Sequence, residues 1–479
     1  MKEIIPIISA ILLSSLLLTS AVSANSAQMA WSGVTATGTI ITDQNCPIVV
    51  ESELLTFDIN EFPKEYYGPD AVDEYLAYDG RVTAQYTFYN PADYTVTATL
   101  VFPFGRLPEY SYVSKEALFL SDSDRYGITV NGEKIPMTIR HTLSERYFDI
   151  ASDIPRLKDS FTDDEFYYPE MPVYCETVKV TGITDENGRA NILLRWHDYS
   201  TDKRTIIVEP QGDGVVRGYF TDKNAFRQWV YNGCVIKVWY FGEYHGSPEW
   251  MLYDGKLYDG EEPTNTISGT VETSGEAEEM TFMDFAMQGY TEDSGISRAD
   301  WYNARVDDIN RNAIFYGDSC AFTRYDLIHI MLRWYQYEIT LQPHQRITNT
   351  VTAPIYPSIN AAYNPNIYGY TYLLSPARTW SDFGALDIVV NTPFYITESN
   401  IGGFEKTDGG YTLSLNGLPE GELTFTVSES KNPTYYVNPL VFIAYGILFL
   451  PFLILLIALA IGIVILVRHK RKKQGIAKS

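Results

Sequence analysis

The stretch "RVTAQYTFYNPADYTVTATLVF", residues 81–102, alternates strictly on both sides of a turn. Val82, Ala84, Tyr86 and Phe88 interleave with Thr83, Gln85, Thr87 and Tyr89; after Asn90-Pro91-Ala92-Asp93, Val96, Ala98 and Leu100 interleave with Thr95, Thr97 and Thr99. Period two, rich in β-branched and aromatic residues, predicts a half-buried antiparallel strand pair. A helix would need apolar residues every three or four positions.

The same idiom runs outward from there. "ITVNGEKI" (128–135) and "TGITDENGRANILLRW" (181–196) read as hairpins turning on Asn-Gly, and "CVIKVWYFG" (234–242) and "LYDGKLYDG" (252–260) continue it. "EEPTNTISGTVETSGEAEE", from 261, is rich in Thr, Ser, Gly and Glu and reads as a loop or linker. "SRADWYNARVDDINRNA" (297–313) reads as a helix capped by Ser297, with Tyr302, Val306, Ile309 and Ala313 on one face and Arg305, Asp308 and Arg311 facing away. Strands then resume on either side of Gln342-Pro343-His344-Gln345. In "YTYLLSPARTW" (370–380), Tyr370, Tyr372 and Leu374 share one face, and Pro376 ends the pairing because it has no N–H to donate. Trp380 comes after that turn and is expected to be architectural, its ring pinned against the sheet.

"TAQYTFYNPADYTVTATLVFPFG" followed by "ITVNGEKI" resembles the opening of vault/inter-α-trypsin-like domains, departing from them at Phe102-Pro103-Phe104-Gly105, where a second proline is missing. "YEITLQPHQRITNTVTAPIYP" with "YTYLLSPARTWSDFGALDIVV" is similar to the closing half of bacterial secreted β-sandwich domains of unknown function. The resemblance implies a β-sandwich surface module and brings no catalytic residues.

Both chain ends are apolar. Lys2 precedes an apolar run from Ile4 to Val22, and Val22-Ser23-Ala24 offers the small residues of a leader-cleavage site, so a signal peptide over 1–24 with cleavage before Asn25 is expected. Residues 440–467 carry no charge and exceed the roughly 20 residues that cross a bilayer. Arg468 to Lys473 then supplies the positive-inside signal. The expected organisation is an N-terminal β-sandwich domain at 25–160, a second β region at 161–262 and a linker with a helical insertion at 263–325. A membrane-proximal β region at 326–430, a stalk at 431–439, a transmembrane helix at 440–467 and a cytoplasmic tail at 468–479 complete it. The fold class is mainly β, and the expected location is a bacterial cell membrane, crossed once, with the bulk of the chain outside.

The chain has 36 Lys+Arg against 60 Asp+Glu. Setting aside Lys2, Glu3 and the six basic residues from Arg468 onward leaves 29 against 59, a formal charge of −30 on the extracellular part. Nucleic acid is excluded as a partner, because its phosphates need Lys and Arg to neutralise them. The expected partners are the bilayer, through one helix, and an extracellular protein or glycan.

Chemistry is sparse. Asp122, Asp124, Gly127 and Glu133 occupy the first, third, sixth and twelfth places of a calcium loop, but the fifth is Tyr126 and a hairpin comes next where that loop needs a helix. Calcium at Asp122, Asp124 and Glu133 is the one cofactor candidate, and in so acidic a chain a chance match is the simpler account. Cys46, Cys175, Cys234 and Cys320 allow one or two disulfides outside the cytoplasm. His197 beside Asp198 makes no metal pair, since adjacent strand residues face opposite sides. Without a catalytic signature, a binding or structural role is expected; the alternative is a surface hydrolase acting on carbohydrate.

Overall fold

The computed structural model describes residues 22–37, 40–41, 45–63, 78–105, 127–143, 150–197, 205–211, 219–222, 224–254, 262–274, 277–315, 327 and 331–435. The apolar runs at 1–21 and 440–467 lie outside these residues, and among the described residues no helix is long and apolar enough to cross a membrane.

The principal strands, in chain order, begin with β1 (Val22–Ala24), β2 (Ala27–Val34), β3 (Val49–Asp58), β4 (Arg81–Tyr89), β5 (Thr95–Gly105) and β6 (Thr138–Leu143). Next come β7 (Pro172–Thr181), β8 (Arg189–Arg195), β9 (Ile206–Gln211), β10 (Ala225–Tyr231), β11 (Val235–Phe241) and β12 (Glu249–Tyr253), then helix α1 (Arg298–Phe315). The chain closes with β13 (Met331–Leu341), β14 (Arg346–Pro354), β15 (Ile367–Leu373), β16 (Phe383–Asn391), β17 (Gly410–Asn416) and β18 (Leu423–Ser428). The protein is mainly β. Its pairs are antiparallel except β1 with β15 and β3 with β16.

Residues 81–102 do form two strands, but these do not pair with each other. β4 lies between β3 and β14, whereas β5 lies between β2 and β13. The Asn90 turn therefore arches from one sheet to the sheet facing it. Period two explains why both outcomes fit the same sequence: Val82, Ala84, Tyr86 and Phe88 meet Val96, Ala98, Leu100 and Phe102 across a single core instead of side by side. β13 and β14 repeat the arch, and the two corners are laced together. Asn90 N–H donates to Gln345 O (3.0 Å), its Nδ2 reaches the carbonyls of Tyr94, Leu341 and Gln342 (2.8, 3.3 and 3.1 Å), and His344 N–H donates to Ala92 O (3.3 Å).

This arrangement corrects the expected organisation. The regions expected at 25–160 and 326–430 contribute to one β unit, because described residues between 22 and 143 and between 331 and 435 share the large sheets around its core. The second β region and the helical segment after it are inserted between β6 and β13. In that insert, β9, β11 and β7 form one sheet and β10, β8 and β12 form another, enclosing Val178, Ile192, Leu194, Val208, Ile236 and Val238. The Asn187-Gly188 turn is again an arch, since β7 and β8 lie in opposite sheets. The hairpin read at 128–135 is real: Asn131 (φ 51°) and Gly132 (φ 85°) adopt the left-handed pair that such a two-residue turn requires.

The supposed linker is not loop throughout. Thr270–Thr273 and Glu278–Thr281 both pair with β7. Helix α1 begins where expected, Ser297 Oγ accepting from Asp300 N–H at 3.0 Å. Arg305 on its polar face, however, is covered, and the side chains of Arg311 and Ala313 lie outside the described residues. Tyr302, Val306 and Ile309 pack on Val173, Trp239 and Phe241 of the insert, while Trp301 and Ala304 pack on Leu143 and Met331 of the first unit. Arg305 is buried, with its guanidinium 5.8 Å from the Trp301 ring and one amino group 3.4 Å from Gln288 O. Joining two units, α1 must bury both flanks, a role that a single-stripe reading of its periodicity does not anticipate.

Candidate binding surface

The two sheets of the insert have different outer faces. That of β7, β9 and β11 is covered by α1 and the short helix Phe282–Ala286. The other belongs to β10, β8 and β12, on the side turned away from α1. Along β10, Phe226, Gln228 and Val230 point into the core, so Arg227, Trp229 and Tyr231 point out. Across the ladder, Leu193 stands opposite Arg227, Asn191 opposite Trp229 and Arg189 opposite Tyr231; Met251 and Tyr253 of β12 extend the first two rows.

One end of this face is closed and the other open. Leu193, Arg227, Asn191 and Tyr253 are buried, whereas Trp229 and Tyr231 are 46% and 38% exposed. Two residues apart on one strand, their side chains start about 7 Å from each other. The ground beneath them is stiff. Asn232, next in sequence, donates its N–H to Gly188 O (3.1 Å) and accepts Ile183 N–H at Oδ1 (2.8 Å), binding the two arches of the insert as Asn90 binds those of the first unit. Trp250, 43% exposed, is the other tryptophan turned to solvent; opposite Leu194, it belongs to the inner side at the strand's end.

Among the described residues four carboxylates are buried, those of Glu53, Asp153, Glu176 and Asp300, and two of them, Glu53 and Glu176, lie inside the cores of the two units. Glu53 lies in the first core, its Oε1 3.5 Å from the Tyr372 hydroxyl; burial pushes its carboxyl up to about 8, the polar groups of Asn25, Tyr372 and Tyr86 offsetting part of that rise. Around it, Tyr86 and Tyr372 donate to Asn25 Oδ1 (3.1 and 2.7 Å), Ser26 N–H donates to Tyr86 (3.0 Å), and Tyr337 donates to Asn349 (2.9 Å). In the insert, Glu176 accepts from Tyr240 (3.0 Å) and Tyr244 (3.4 Å) at Oε2 and from Ser247 at Oε1. The pair of facing carboxylates that glycoside hydrolysis requires is not what these two make, because they sit in separate cores.

The remaining candidates fall into place one by one. Asp122 and Asp124 lie outside the described residues, and Glu133 is exposed on the strand after the Asn131-Gly132 turn, where the calcium loop would need a helix. Among the described residues no group of three His, Cys, Asp or Glu could hold a metal. Cys46, Cys175 and Cys234 are free thiols in three different cores, so none pairs with another, and Cys320 lies outside the described residues. His197 pairs with Glu249 (2.9 Å) at the surface. Trp380 is buried against Phe88, with ring centroids 4.8 Å apart, and its Nε1 donates to Ser26 O at 3.0 Å. Tyr370 and Tyr372 lie in the same core, and Arg378 donates to the carbonyls of Pro419 and Gly421. The rings of residues 370–380 are thus buried, and among the exposed rings of the described residues Trp229 and Tyr231, in "AFRQWVY", share one strand face, which the alternation of Arg227, Trp229 and Tyr231 signals.

No protein-family model and no curated protein matches the chain. Among solved structures, a "putative nutrient binding protein" from Legionella pneumophila is similar over 85% of this chain and 72% of its own, at 10% identity and a TM-score of 0.30.

Proposed function

We propose that the protein is a membrane-anchored extracellular binding protein whose ledge of Trp229 and Tyr231 holds a glycan. The exposed ring pair on a stiffened, outward-facing strand carries this reading. Aromatic faces stack on the C–H faces of pyranose rings, and the exposed Arg189, opposite Tyr231 on the neighbouring strand, stands beside the rings as a hydrogen-bonding neighbour. Size separates a glycan from a protein partner. Exposures of 46% and 38% leave roughly 200 Å² of ring surface, given that such side chains offer about 150–250 Å² each. A standard protein interface buries about 800 Å² per partner. The anchor reading rests on the uncharged run 440–467 and the basic residues beyond it.

The test is retention of the purified protein on immobilised neutral polysaccharides, wild type against Trp229→Ala and Tyr231→Ala. Retention lost in both variants, with unchanged melting temperatures, supports the ledge. Equal retention by all three proteins moves the site elsewhere, and capture of a protein in place of any glycan replaces the ligand class.

A further inference from the structure

Several places in the leader region put small residues at the first and third positions before a cut: Thr19-Ser20-Ala21, ahead of Val22, Ala21-Val22-Ser23, ahead of Ala24, and Ala24-Asn25-Ser26, ahead of Ala27; Val22-Ser23-Ala24, ahead of Asn25, offers Val and Ala. Resting on the leader reading, we propose that cleavage falls before Val22, so that Val22–Ala24 remain in the mature protein as a structural strand. This departs from the site before Asn25 that the residue pattern alone favours.

The structure distinguishes the two products. β1 lies parallel to β15 in the register Val22 to Thr371, Ser23 to Tyr372 and Ala24 to Leu373, and the ladder continues as Asn25 N–H donates to Leu373 O at 2.8 Å. Asn25 and Ser26 are wholly buried. Both are built into the hydrogen-bond network that joins three sheets: Asn25 Oδ1 serves Tyr86 and Tyr372, Ser26 Oγ lies 2.9 Å from the Tyr337 hydroxyl, and Ser26 O receives Trp380. A cut before Asn25 removes the β1 ladder. It also turns the Asn25 amide into an α-ammonium, charged at neutral pH, on a residue with no exposure to water. Burying a charge without a partner costs several kcal/mol. The acid in that core, Glu53, is itself wholly buried and, with burial pushing its carboxyl up to about 8, holds its proton at neutral pH, so it is no ready counter-charge. A cut before Val22 instead leaves Asn25 N–H as the neutral donor seen here and places the new charge three residues, about 10 Å, further along the strand.

The experiment is N-terminal sequencing of the mature full-length protein recovered from bacterial membranes, with Ala21→Leu and Ala24→Leu as companions. Cleavage precedes folding, so the readout does not depend on either variant's stability. Val22 as the first residue, unaltered by Ala24→Leu and abolished or displaced by Ala21→Leu, is the expected result. Ala24, Asn25 or any later first residue overturns the inference while keeping the leader. A chain that retains its initial residues overturns the leader itself.

Discussion

Asn90 Nδ2 lies 3.3 Å from the carbonyl of Leu341, a residue 251 positions later in the chain, and this contact ties together the corners of two arches. Between those positions the chain leaves the first unit, builds the insert and returns. The core's closure thus depends on a residue that reads locally as an ordinary turn former.

Asn90→Ala should therefore act well beyond its own turn. It removes the donor to Tyr94, Leu341 and Gln342 and the Oδ1 acceptor of Ala92 N–H, leaving groups in a buried corner unsatisfied. An unsatisfied buried group costs about 1–3 kcal/mol. Thermal unfolding should show a melting temperature lower by several degrees, with Asn90→Asp, which keeps the acceptor, losing less at low pH than at neutral pH.

The joint between the units turns on an ion pair shut away from water. Arg140 meets Asp300 through Nε (3.1 Å) and an amino group (2.8 Å), and His141 N–H donates to the same carboxylate at 2.9 Å. Asp300→Ala removes the buried carboxylate and leaves the guanidinium the exposed Asp159 carboxylate (3.0 Å), Gln336 Oε1 (2.8 Å) and Lys158 O (2.8 Å), so the loss falls below the roughly 3–5 kcal/mol of a buried charge left with no partner. The expected outcome is protease sensitivity at the junction of α1 with the first unit. The double variant Arg140→Met/Asp300→Leu should recover much of the loss, since apolar replacement removes both desolvation costs.

Glu53 makes stability depend on pH in the direction opposite to an ordinary surface carboxylate. Its folded-state value, about 8, lies above the 4.5 of a free side chain, so between these values the folded state holds a proton that the unfolded state releases. The contribution is complete below about 4.5 and fades as pH rises toward 8, by at most about 1.4 kcal/mol per pH unit. Chemical denaturation from pH 5 to 9 should show this decline, and Glu53→Gln should flatten it. An identical slope in the variant would assign the pH dependence to other groups.

Gln228 points into the core of the insert opposite Ile192, buried, with both amide atoms lacking a partner. Burying an unpaired amide costs about 1–3 kcal/mol in proteins. Gln228→Met, similar in length and shape, should raise the melting temperature. A fall would mean that the amide is satisfied within the core.

Strand positions were legible because alternation is a local property. Arg81–Tyr89, Thr95–Gly105 and the 128–135 hairpin come directly from it. Which strands pair was not legible, since an arch and a hairpin impose the same period on residues 81–102; the choice is made by Leu341 and Gln342, far along the chain. The helix at 298–315 showed its cap but not its two-sided burial, because Arg305 reads as surface until the neighbouring unit covers it. Trp229 and Tyr231 were harder still. Aromatic residues are natural to strands, and only the three-dimensional packing separates exposed rings such as these two from the many buried ones.

The central claim is that Trp229 and Tyr231 form a glycan-binding ledge, and tryptophan fluorescence during titration with a neutral hexose oligomer tests it most directly. Trp229 and Trp250 are the tryptophans most exposed to solvent, so a Trp250→Phe background leaves Trp229 as the principal reporter at the surface. The account predicts a saturable blue shift in that background, lost on adding Trp229→Phe and weakened at least tenfold by Tyr231→Ala. A spectrum that does not respond to a glycan retained by the protein, or a shift that survives Trp229→Phe, would contradict it.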